Sequence, residues 1–237
     1  MKSQQTLTVR AAADRGKADL GWLKSAHTFS FGNYHDPAHM QFGVLRVIND
    51  DVVTGGDGFP PHPHRDAEIF SYVLEGALQH KDSMGNGSTV SEGGVQYMSA
   101  GSGVTHSEFN PSETEPMRFL QVWLIPETSG GEPRYETLSI EESEKQGKLK
   151  LFVSADGRDG SIRTRAKANV YVATLRSDDV VKHDLGTVPK AWLQVARGTV
   201  HLNNEPLVTG DGVAIEGGGW LVLSEGVDAE VLLFEMP

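Results

Sequence analysis

The sequence contains no cysteine, and this absence limits the chemistry open to the chain. Without thiols it can form no disulfide framework, no iron–sulfur cluster on its own side chains and no thiolate–metal bond. It also has no uninterrupted apolar run near the roughly 18–20 residues that a membrane-spanning helix needs, and no apolar segment typical of a secretory signal. We therefore expect a soluble, cytoplasmic protein with no membrane partner.

Positive charge is also scarce. The 237 residues include 21 Lys and Arg against 32 Asp and Glu, which gives a formal net charge of −11. An acidic balance of this size opposes nucleic-acid binding by bulk electrostatics, so no such partner is expected. Hydrophobic residues make up 38% of the chain, which is enough for a core, and the length suits one large or two small β domains. We expect a monomer.

The most informative feature of the sequence is two short pairs of metal-binding residue types, His62-Pro63-His64 and His106-Ser107-Glu108. On a β-strand, residues i and i+2 point to the same face, so each pair can aim two side chains at one point. If the two strands lie side by side, three imidazoles and one carboxylate converge. This donor set suits a divalent first-row transition metal such as Fe, Ni, Cu, Mn or Zn. Because imidazole ligates in its neutral form, metal affinity is expected to fall below pH about 6.

The segments around the pairs are typical of strands and turns. Residues 68–81 predict one long strand broken at Gly76, and residues 84–87 (Met-Gly-Asn-Gly) predict a hairpin turn, because Asn and Gly tolerate positive φ. The prolines in residues 59–64 predict an edge or irregular strand, since proline has no N–H to donate to a neighbour.

The two pairs and the glycines around them resemble the two motifs of the cupin superfamily, although the proline that usually precedes the second histidine is missing. More specifically, the chain resembles the pirins, and among them the bacterial pirin-like quercetin 2,3-dioxygenases. The matching stretches are HTFSFGNYHDP (27–37), FGVLRVINDD (42–51), HPHRDAEIFSYVLEG (62–76), HKDSMGNGS (80–88) and AGSGVTHSEFNPS (100–112).

This resemblance implies a metal-dependent dioxygenase that cleaves quercetin, or a related flavonol or enol, with O2 and releases carbon monoxide. It implies one divalent metal, Fe(II) first and Ni, Co, Cu, Mn or Zn as alternatives. Glu108 is expected to be both a ligand and the catalytic base for the 3-hydroxyl proton. The metal ligands implied are His62, His64, His106 and Glu108.

The flat substrate would need an apolar wall. The aromatic candidates are Trp22, Phe29, Phe31 and Phe59, each of which can equally be ordinary core, and His27 is a further pocket candidate.

Two other functions stay open. Mammalian pirins, which the chain also resembles, are described as nuclear transcription cofactors with an iron-dependent conformation, so a metal-dependent redox sensor or protein-binding module is one alternative. Another cupin enzyme acting on an unidentified small substrate is the second, because one scaffold hosts many chemistries.

The second half of the chain repeats the pattern of the first without its metal-binding residues. Residues 192–202 parallel residues 70–80, with Gly198 in the place of Gly76. Where His62 and His64 should recur, the sequence has Asp184 and Gly186, and residues 220–225 contain no histidine.

We therefore predict an all-β bicupin, two tandem antiparallel double-stranded β-helix barrels of jelly-roll type. The predicted parts are an N-terminal barrel with the metal site (1–130), a linker (131–147) and a C-terminal barrel without ligands (148–237).

Overall fold

Strands make up nearly all the regular structure of the chain. The computed structural model describes residues 5–237, and within them the one α-helix is α1, Glu142–Lys145. No helix in this part of the chain is long and apolar enough to cross a membrane, and the predicted cytoplasmic location stays a prediction. In chain order the strands are β1 (Thr6–Arg10), β2 (Gly16–Asp19), β3 (Leu23–His27), β4 (Leu45–Val53), β5 (Gly58–His64), β6 (Glu68–Glu75), β7 (Ala77–Asp82), β8 (Gly87–Ser91), β9 (Gly94–Ser99), β10 (Val104–Phe109), β11 (Met117–Leu124), β12 (Arg134–Ser139), β13 (Lys150–Ser154), β14 (Ile162–Arg163), β15 (Asn169–Leu175), β16 (Val181–Asp184), β17 (Lys190–Leu202), β18 (Glu205–Val208), β19 (Gly212–Glu216) and β20 (Trp220–Met236).

The described chain divides into two compact units. The N-terminal unit consists of residues 16–140 and 164–166, and the C-terminal unit of residues 5–15, 141–163 and 167–237. The all-β prediction is confirmed. The segment predicted as a linker contains β12, which pairs with β9 from Arg134 opposite Ser99 to Ser139 opposite Gly94. At the other end of the chain, β1 pairs with β19 in the C-terminal unit.

Two sheets build the N-terminal unit. Within the described residues, one has seven strands in the order β12-β9-β6-β11-β4-β3-β2 and the other has four in the order β5-β10-β7-β8. Strand β6 lies between β9 and β11 and is buried at every residue but its last, which accounts for its unbroken run of large side chains. One apolar cluster takes residues from both sheets, among them Val73 of β6, Leu78 of β7 and Phe119 of β11. The two sheets therefore pack face to face.

The chain passes from one sheet to the other at Gly76, between β6 and β7. Gly76 has φ +73°, and a Cβ added there would lie 3.1 Å from the carbonyl oxygen of Pro116. Glycine suits this position because it adopts the left-handed region without steric cost. The predicted strand break is confirmed. The predicted hairpin is confirmed as well, since β7 and β8 pair from Ala77 opposite Ser91 to Lys81 opposite Gly87.

The C-terminal unit is built on one sheet. Its main path in the described chain is β1-β19-β17-β20-β15-β13-β14, with β16 added to β20 and β18 added to β17. Leucine, valine and isoleucine side chains from β15 to β20 form a single buried cluster. Gly198, inside β17, has φ +66° and so repeats the backbone conformation of Gly76.

Candidate metal centre

The strands that carry the two residue pairs are antiparallel neighbours, as predicted. On β5 and β10, His62 lies opposite His106 and His64 lies opposite Val104. The ring centroids are 4.7 Å apart for His62 and His64, 4.5 Å for His62 and His106, and 4.9 Å for His64 and His106. One nitrogen of each ring lies within 4.8 Å of the other two. We call these three residues the histidine group.

Strand β5 is irregular and lies at the edge of its sheet, as its prolines predict. The pairing register with β10 shifts between His106, opposite His62, and Glu108, opposite Phe59. At the start of the strand a Cβ on Gly58 would lie 2.3 Å from the carbonyl oxygen of Glu108. Only glycine permits this close approach, which brings the backbone of β5 against the strand that carries Glu108.

The free nitrogen atoms of the histidine group fit a metal ion. Nδ1 of His62 donates to the carbonyl oxygen of Pro60 at 2.8 Å, which leaves Nε2 of that ring with its lone pair. Nε2 of His106 is buried and has no hydrogen-bond partner. A buried polar atom without a partner is unfavourable unless an ion or water satisfies it. This orphaned nitrogen therefore supports a cation between the rings.

Burial keeps His64 and His106 in the form that binds metals. Burial, and then the neighbouring His62, lowers the pKa of His64 to about 4. Burial, followed by His62 and His64, lowers the pKa of His106 to about 2. Both rings are therefore neutral at pH 7, and neutral imidazole is the ligating form.

Glu108 lies two residues beyond His106 on β10 and is fully buried. Its carboxylate accepts hydrogen bonds from Ser71 Oγ at 3.2 Å, Gln96 Nε2 at 2.6 Å and Gln121 Nε2 at 3.0 Å. Burial raises its pKa to about 7, and these three hydrogen bonds oppose that rise. The group of nitrogen atoms within 4.8 Å does not include a Glu108 oxygen. The assignment of Glu108 as a fourth ligand stays a prediction.

A cavity of about 660 Å³ opens beside the histidine group, within the N-terminal unit. His62 and His64 lie on its lining, and Trp22, Phe31 and Phe59 of the predicted wall do as well. Phe29 is 2% exposed and lies outside the lining, so at this position the core interpretation holds. The structure adds Trp123, which the sequence analysis did not single out.

His27 also lines the cavity. Its Nδ1 lies 2.8 Å from Asn49 Oδ1 and 3.3 Å from Ser25 Oγ, which fixes the ring on the cavity side of β3. The sequence pattern named His27 as a pocket candidate, and the structure places it there.

Three residues behind His106 were missed. His80 Nδ1 lies 3.4 Å from His106 Nδ1, and His80 Nε2 lies 3.1 Å from Asp82 Oδ2. The ring of Tyr135 stacks on His80, with centroids 4.2 Å apart and planes inclined by 11°. Burial lowers the pKa of His80, against the raising effect of Asp82. The His80-x-Asp82 spacing was a usable signal, whereas Tyr135 lies in the segment predicted as a linker.

Comparison with known proteins identifies the family. The Pirin family model matches residues 8–124, and the model of the quercetinase C-terminal cupin domain matches residues 151–236. A quercetin 2,3-dioxygenase from Escherichia coli K12 is 46% identical over 229 residues, which cover 97% of this chain and 98% of that protein. The chain belongs to the pirin family.

Solved structures extend the match to the whole fold of this pirin. The crystal structure of YhhW from Escherichia coli superposes with a TM-score of 0.93 at 44% identity and covers 98% of both chains. A second structure, the bacterial pirin YhhW in complex with nickel(II), gives 0.92 at 44% identity and covers 98% of this chain and 99% of that one. With a cupin domain in each half, the bicupin prediction is confirmed. The histidine group of this pirin fits a single divalent metal ion.

Proposed function

We propose that this pirin is a metal-dependent dioxygenase that cleaves quercetin, or a related flavonol or enol, with O2 and releases carbon monoxide. The observation that carries the proposal is the histidine group at one end of a cavity walled by aromatic rings. The relative that is 46% identical over almost the whole chain bears the name quercetin 2,3-dioxygenase, which supports the same reaction.

The proposed ligands are His62, His64, His106 and Glu108. A divalent ion there, Fe(II) in our proposal with Ni, Co, Cu, Mn or Zn as alternatives, would supply Lewis acidity and open positions for the deprotonated substrate and O2. The nickel(II) complex of YhhW supports a divalent ion without deciding which one this chain uses.

The cavity supplies the binding surface for a flat aromatic substrate. Its volume of about 660 Å³ suits a small molecule. Trp123 meets the His64 ring edge-on, with centroids 4.9 Å apart, and meets Phe31 in the same way at 5.6 Å. A second edge-on pair, Trp22 and Phe59 at 5.2 Å, lines the same cavity. These edge-on ring pairs give the cavity an apolar wall that would hold a planar ligand.

Glu108 is the proposed base. A base works best when its pKa is close to the working pH, and burial raises the pKa of Glu108 to about 7. Its hydrogen bonds from Ser71, Gln96 and Gln121 hold the carboxylate in one orientation. In the proposed reaction Glu108 takes the 3-hydroxyl proton, O2 adds to the heterocycle, and the ring opens with loss of one carbon as carbon monoxide.

The proposal is tested by oxygen uptake with quercetin. The protein is loaded separately with Fe(II), Ni, Co, Cu, Mn and Zn, its metal content is measured in parallel, and carbon monoxide is assayed. Uptake that needs metal, releases carbon monoxide and disappears in His62→Ala is the expected result. Fully loaded protein that consumes no oxygen with any of these metals would overturn the dioxygenase proposal.

A second variant isolates the base. Glutamine cannot take a proton, so Glu108→Gln should retain some metal and lose turnover. Full activity in this variant would refute the role of Glu108 as base.

A further inference from the structure

A line of buried polar side chains lies beside the histidine group, and the proposed reaction does not use it. His80 is 0% exposed and lies on β7, next to the strand that carries His106 and Glu108. Its Nδ1 faces His106 Nδ1 at 3.4 Å, and its Nε2 lies 3.1 Å from Asp82 Oδ2. The side chains of both His80 and Asp82 are closed to solvent. Three polar side chains thus form one line that ends at the histidine group.

The outer end of this line is fixed by the backbone. Asp82 Oδ1 accepts hydrogen bonds from the backbone N–H of Met84 at 2.9 Å and of Asn86 at 3.0 Å. Oδ2 accepts a third from Asn86 Nδ2 at 2.9 Å. The hairpin between β7 and β8 therefore holds the carboxylate in one position. Toward His80 the carboxylate acts as a hydrogen-bond acceptor and not as a donor.

The tautomers along the line follow from the hydrogen-bonding capacity of each group. A carboxylate only accepts, so the hydrogen of a neutral His80 ring lies on Nε2 and its Nδ1 carries a lone pair. That lone pair accepts from His106, so His106 carries its own hydrogen on Nδ1. Nε2 of His106 is then left bare, and this is the buried atom without a hydrogen-bond partner.

The fold does not itself require a histidine at this place. In the internal repeat, Gly76 to His80 parallels Gly198 to Leu202. Leu202 is also 0% exposed, and it lies opposite Leu223 as His80 lies opposite Glu108. In the unit that has no histidine group, a leucine is sufficient at this buried position. This indicates that His80 and Asp82 act on the histidine group.

We propose that His80 and Asp82 are positioning residues that set the tautomer and ring orientation of His106, so that its Nε2 faces the metal. This inference rests on the proposed metal centre. Partners that bind the second nitrogen of a ligating histidine raise its basicity and fix its orientation, and their loss typically weakens metal binding about 10- to 100-fold. Tyr135 supports the pair by stacking on His80.

The decisive variant is Asp82→Asn. Asparagine keeps the oxygen that the backbone N–H groups of Met84 and Asn86 bind, and it presents an N–H₂ group to His80 with loss of the bond from Asn86 Nδ2. His80 must then accept at Nε2 and carry its hydrogen on Nδ1, which forces the hydrogen of His106 onto Nε2. The same exchange behind a catalytic histidine of a serine protease leaves the geometry intact and yields the wrong tautomer.

The matched control is Glu235→Gln. Glu235 of the C-terminal unit accepts from His183 Nε2 at 2.7 Å, so the exchange also replaces a carboxylate behind a histidine, in a pair that contains no member of the histidine group. Both variants are compared as full chains, with thermal melting to show that they are folded.

Two readouts test the pair, and neither is enzyme activity. The first is the affinity of the metal-free chain for Ni(II) and Zn(II), measured in competition with a chelator. We expect Asp82→Asn to bind both ions about 10- to 100-fold more weakly, and Glu235→Gln to bind them as the wild type does. The second is nitrogen NMR of the histidine rings without metal, which should show hydrogen on Nδ1 of His106 in the wild type and on Nε2 in Asp82→Asn.

A pair of substitutions at His80 covers the case in which Asp82→Asn does not fold. Asparagine and leucine are similar in size, but only His80→Asn places an oxygen near the former Nδ1, where it can accept from His106. We expect His80→Asn to bind Ni(II) several-fold more tightly than His80→Leu, in line with a net hydrogen-bond contribution of about 1 kcal/mol.

The outcomes separate this inference from the proposed metal centre. If the wild type binds metal and Asp82→Asn binds it with the same affinity, the positioning role alone is overturned. The same follows if His80→Asn and His80→Leu bind metal with equal affinity. Hydrogen on Nε2 of His106 in the metal-free wild type overturns it too. A wild type that binds no metal overturns the metal centre and with it the purpose assigned to the pair.

Discussion

The two units of this pirin use equivalent strands for different purposes. In the N-terminal unit β10 lies between β5 and β7, and Glu108 is opposite His80. In the C-terminal unit β20 pairs with β16 and β17, and Leu223 is opposite Leu202. When these two pairings are superimposed, Glu108 corresponds to Leu223 and His80 to Leu202. His106, two residues before Glu108, then corresponds to Leu221.

The difference shows what the site costs the fold. One apolar cluster in the C-terminal unit contains Leu202, Leu221 and Leu223, each at most 2% exposed. This strand arrangement therefore forms with apolar side chains alone at these positions. The N-terminal unit instead buries an unpaired nitrogen of His106 and a carboxyl group, Glu108, whose pKa is raised by burial. Buried polar groups without full compensation lower stability. A metal that binds only the folded chain would restore it.

The largest expected effect is on metal affinity, in the variant His106→Leu. This exchange gives the N-terminal unit the leucine that the C-terminal unit has at the equivalent position. Removal of a ligand should weaken Ni(II) and Zn(II) binding by more than the roughly 100-fold that loss of a ligand's partner can cause. The metal-free variant should lose about 1–3 kcal/mol of unfolding free energy, because leucine removes the unpaired Nε2 of His106 but leaves the buried Nδ1 of His80 without its hydrogen-bond partner. Chelator competition and urea unfolding measure the two quantities.

His201→Leu is the control, because His201 pairs with Glu225 in the C-terminal unit and should leave metal binding unchanged. If His106→Leu kept wild-type affinity, the histidine group would not be the metal centre.

The reverse exchange, Leu202→His, should destabilise the protein. It places an imidazole among apolar side chains with no partner and removes part of a packed leucine, at a cost of about 3–5 kcal/mol in the free energy of unfolding. Urea unfolding measures the loss. Val208→His, at a position on β18 that is 51% exposed, is the control and should change stability little. Unchanged stability in Leu202→His would mean that the second core tolerates a polar group without compensation.

The equivalent glycines give a finer comparison. Gly76 and Gly198 both have positive φ, which costs other residues about 1–2 kcal/mol. A Cβ on Gly76 would lie 3.1 Å from the nearest atom, whereas on Gly198 it would lie 2.2 Å from the Val227 oxygen. Gly76→Ala should lose about 1–2 kcal/mol and Gly198→Ala about 2–4 kcal/mol, because overpacking adds to the backbone term. Equal losses in thermal unfolding would show that the tighter turn relaxes freely.

Local signals explain what could be predicted from the sequence. The spacing of His62 and His64, and the position of His106, depend only on the alternation of side chains along a strand. The repeat was visible because Gly76 and Gly198 meet the same backbone requirement.

Features that depend on distant pairing could not be predicted. Tyr135 lies in β12, within a segment rich in proline, glycine and acidic residues, and it becomes part of the site only because β12 pairs with β9. His80 could be recognised as buried only once β7 was known to lie beside β10. The pairing of β1 with β19 joins residues about two hundred positions apart, which no local pattern encodes.

The last comparison concerns pH, and it tests whether Glu108 is a ligand. The sequence alone predicts proton competition at the histidines below pH about 6, but burial lowers the pKa of His64 to about 4 and that of His106 to about 2. The pKa of Glu108 is raised to about 7, so a metal bound to this carboxylate must displace a proton below that pH. Affinity for Zn(II) should therefore fall by up to about tenfold per pH unit below pH 7 in the wild type and stay flatter in Glu108→Gln.

The metal-free protein should show the opposite sign in its stability. The pKa of Glu108 is about 7 in the folded chain and falls to the usual glutamate pKa of 4.5 on unfolding, so stability falls as pH rises through this interval. Asp51, whose pKa burial also raises to about 7, adds to the same slope, and Glu108→Gln should reduce the slope without removing it. Urea unfolding between pH 5 and 8 measures this slope.

An equal pH dependence of Zn(II) affinity in wild type and Glu108→Gln would remove Glu108 from the ligand set. The three histidines alone would then distinguish the N-terminal unit from the C-terminal unit.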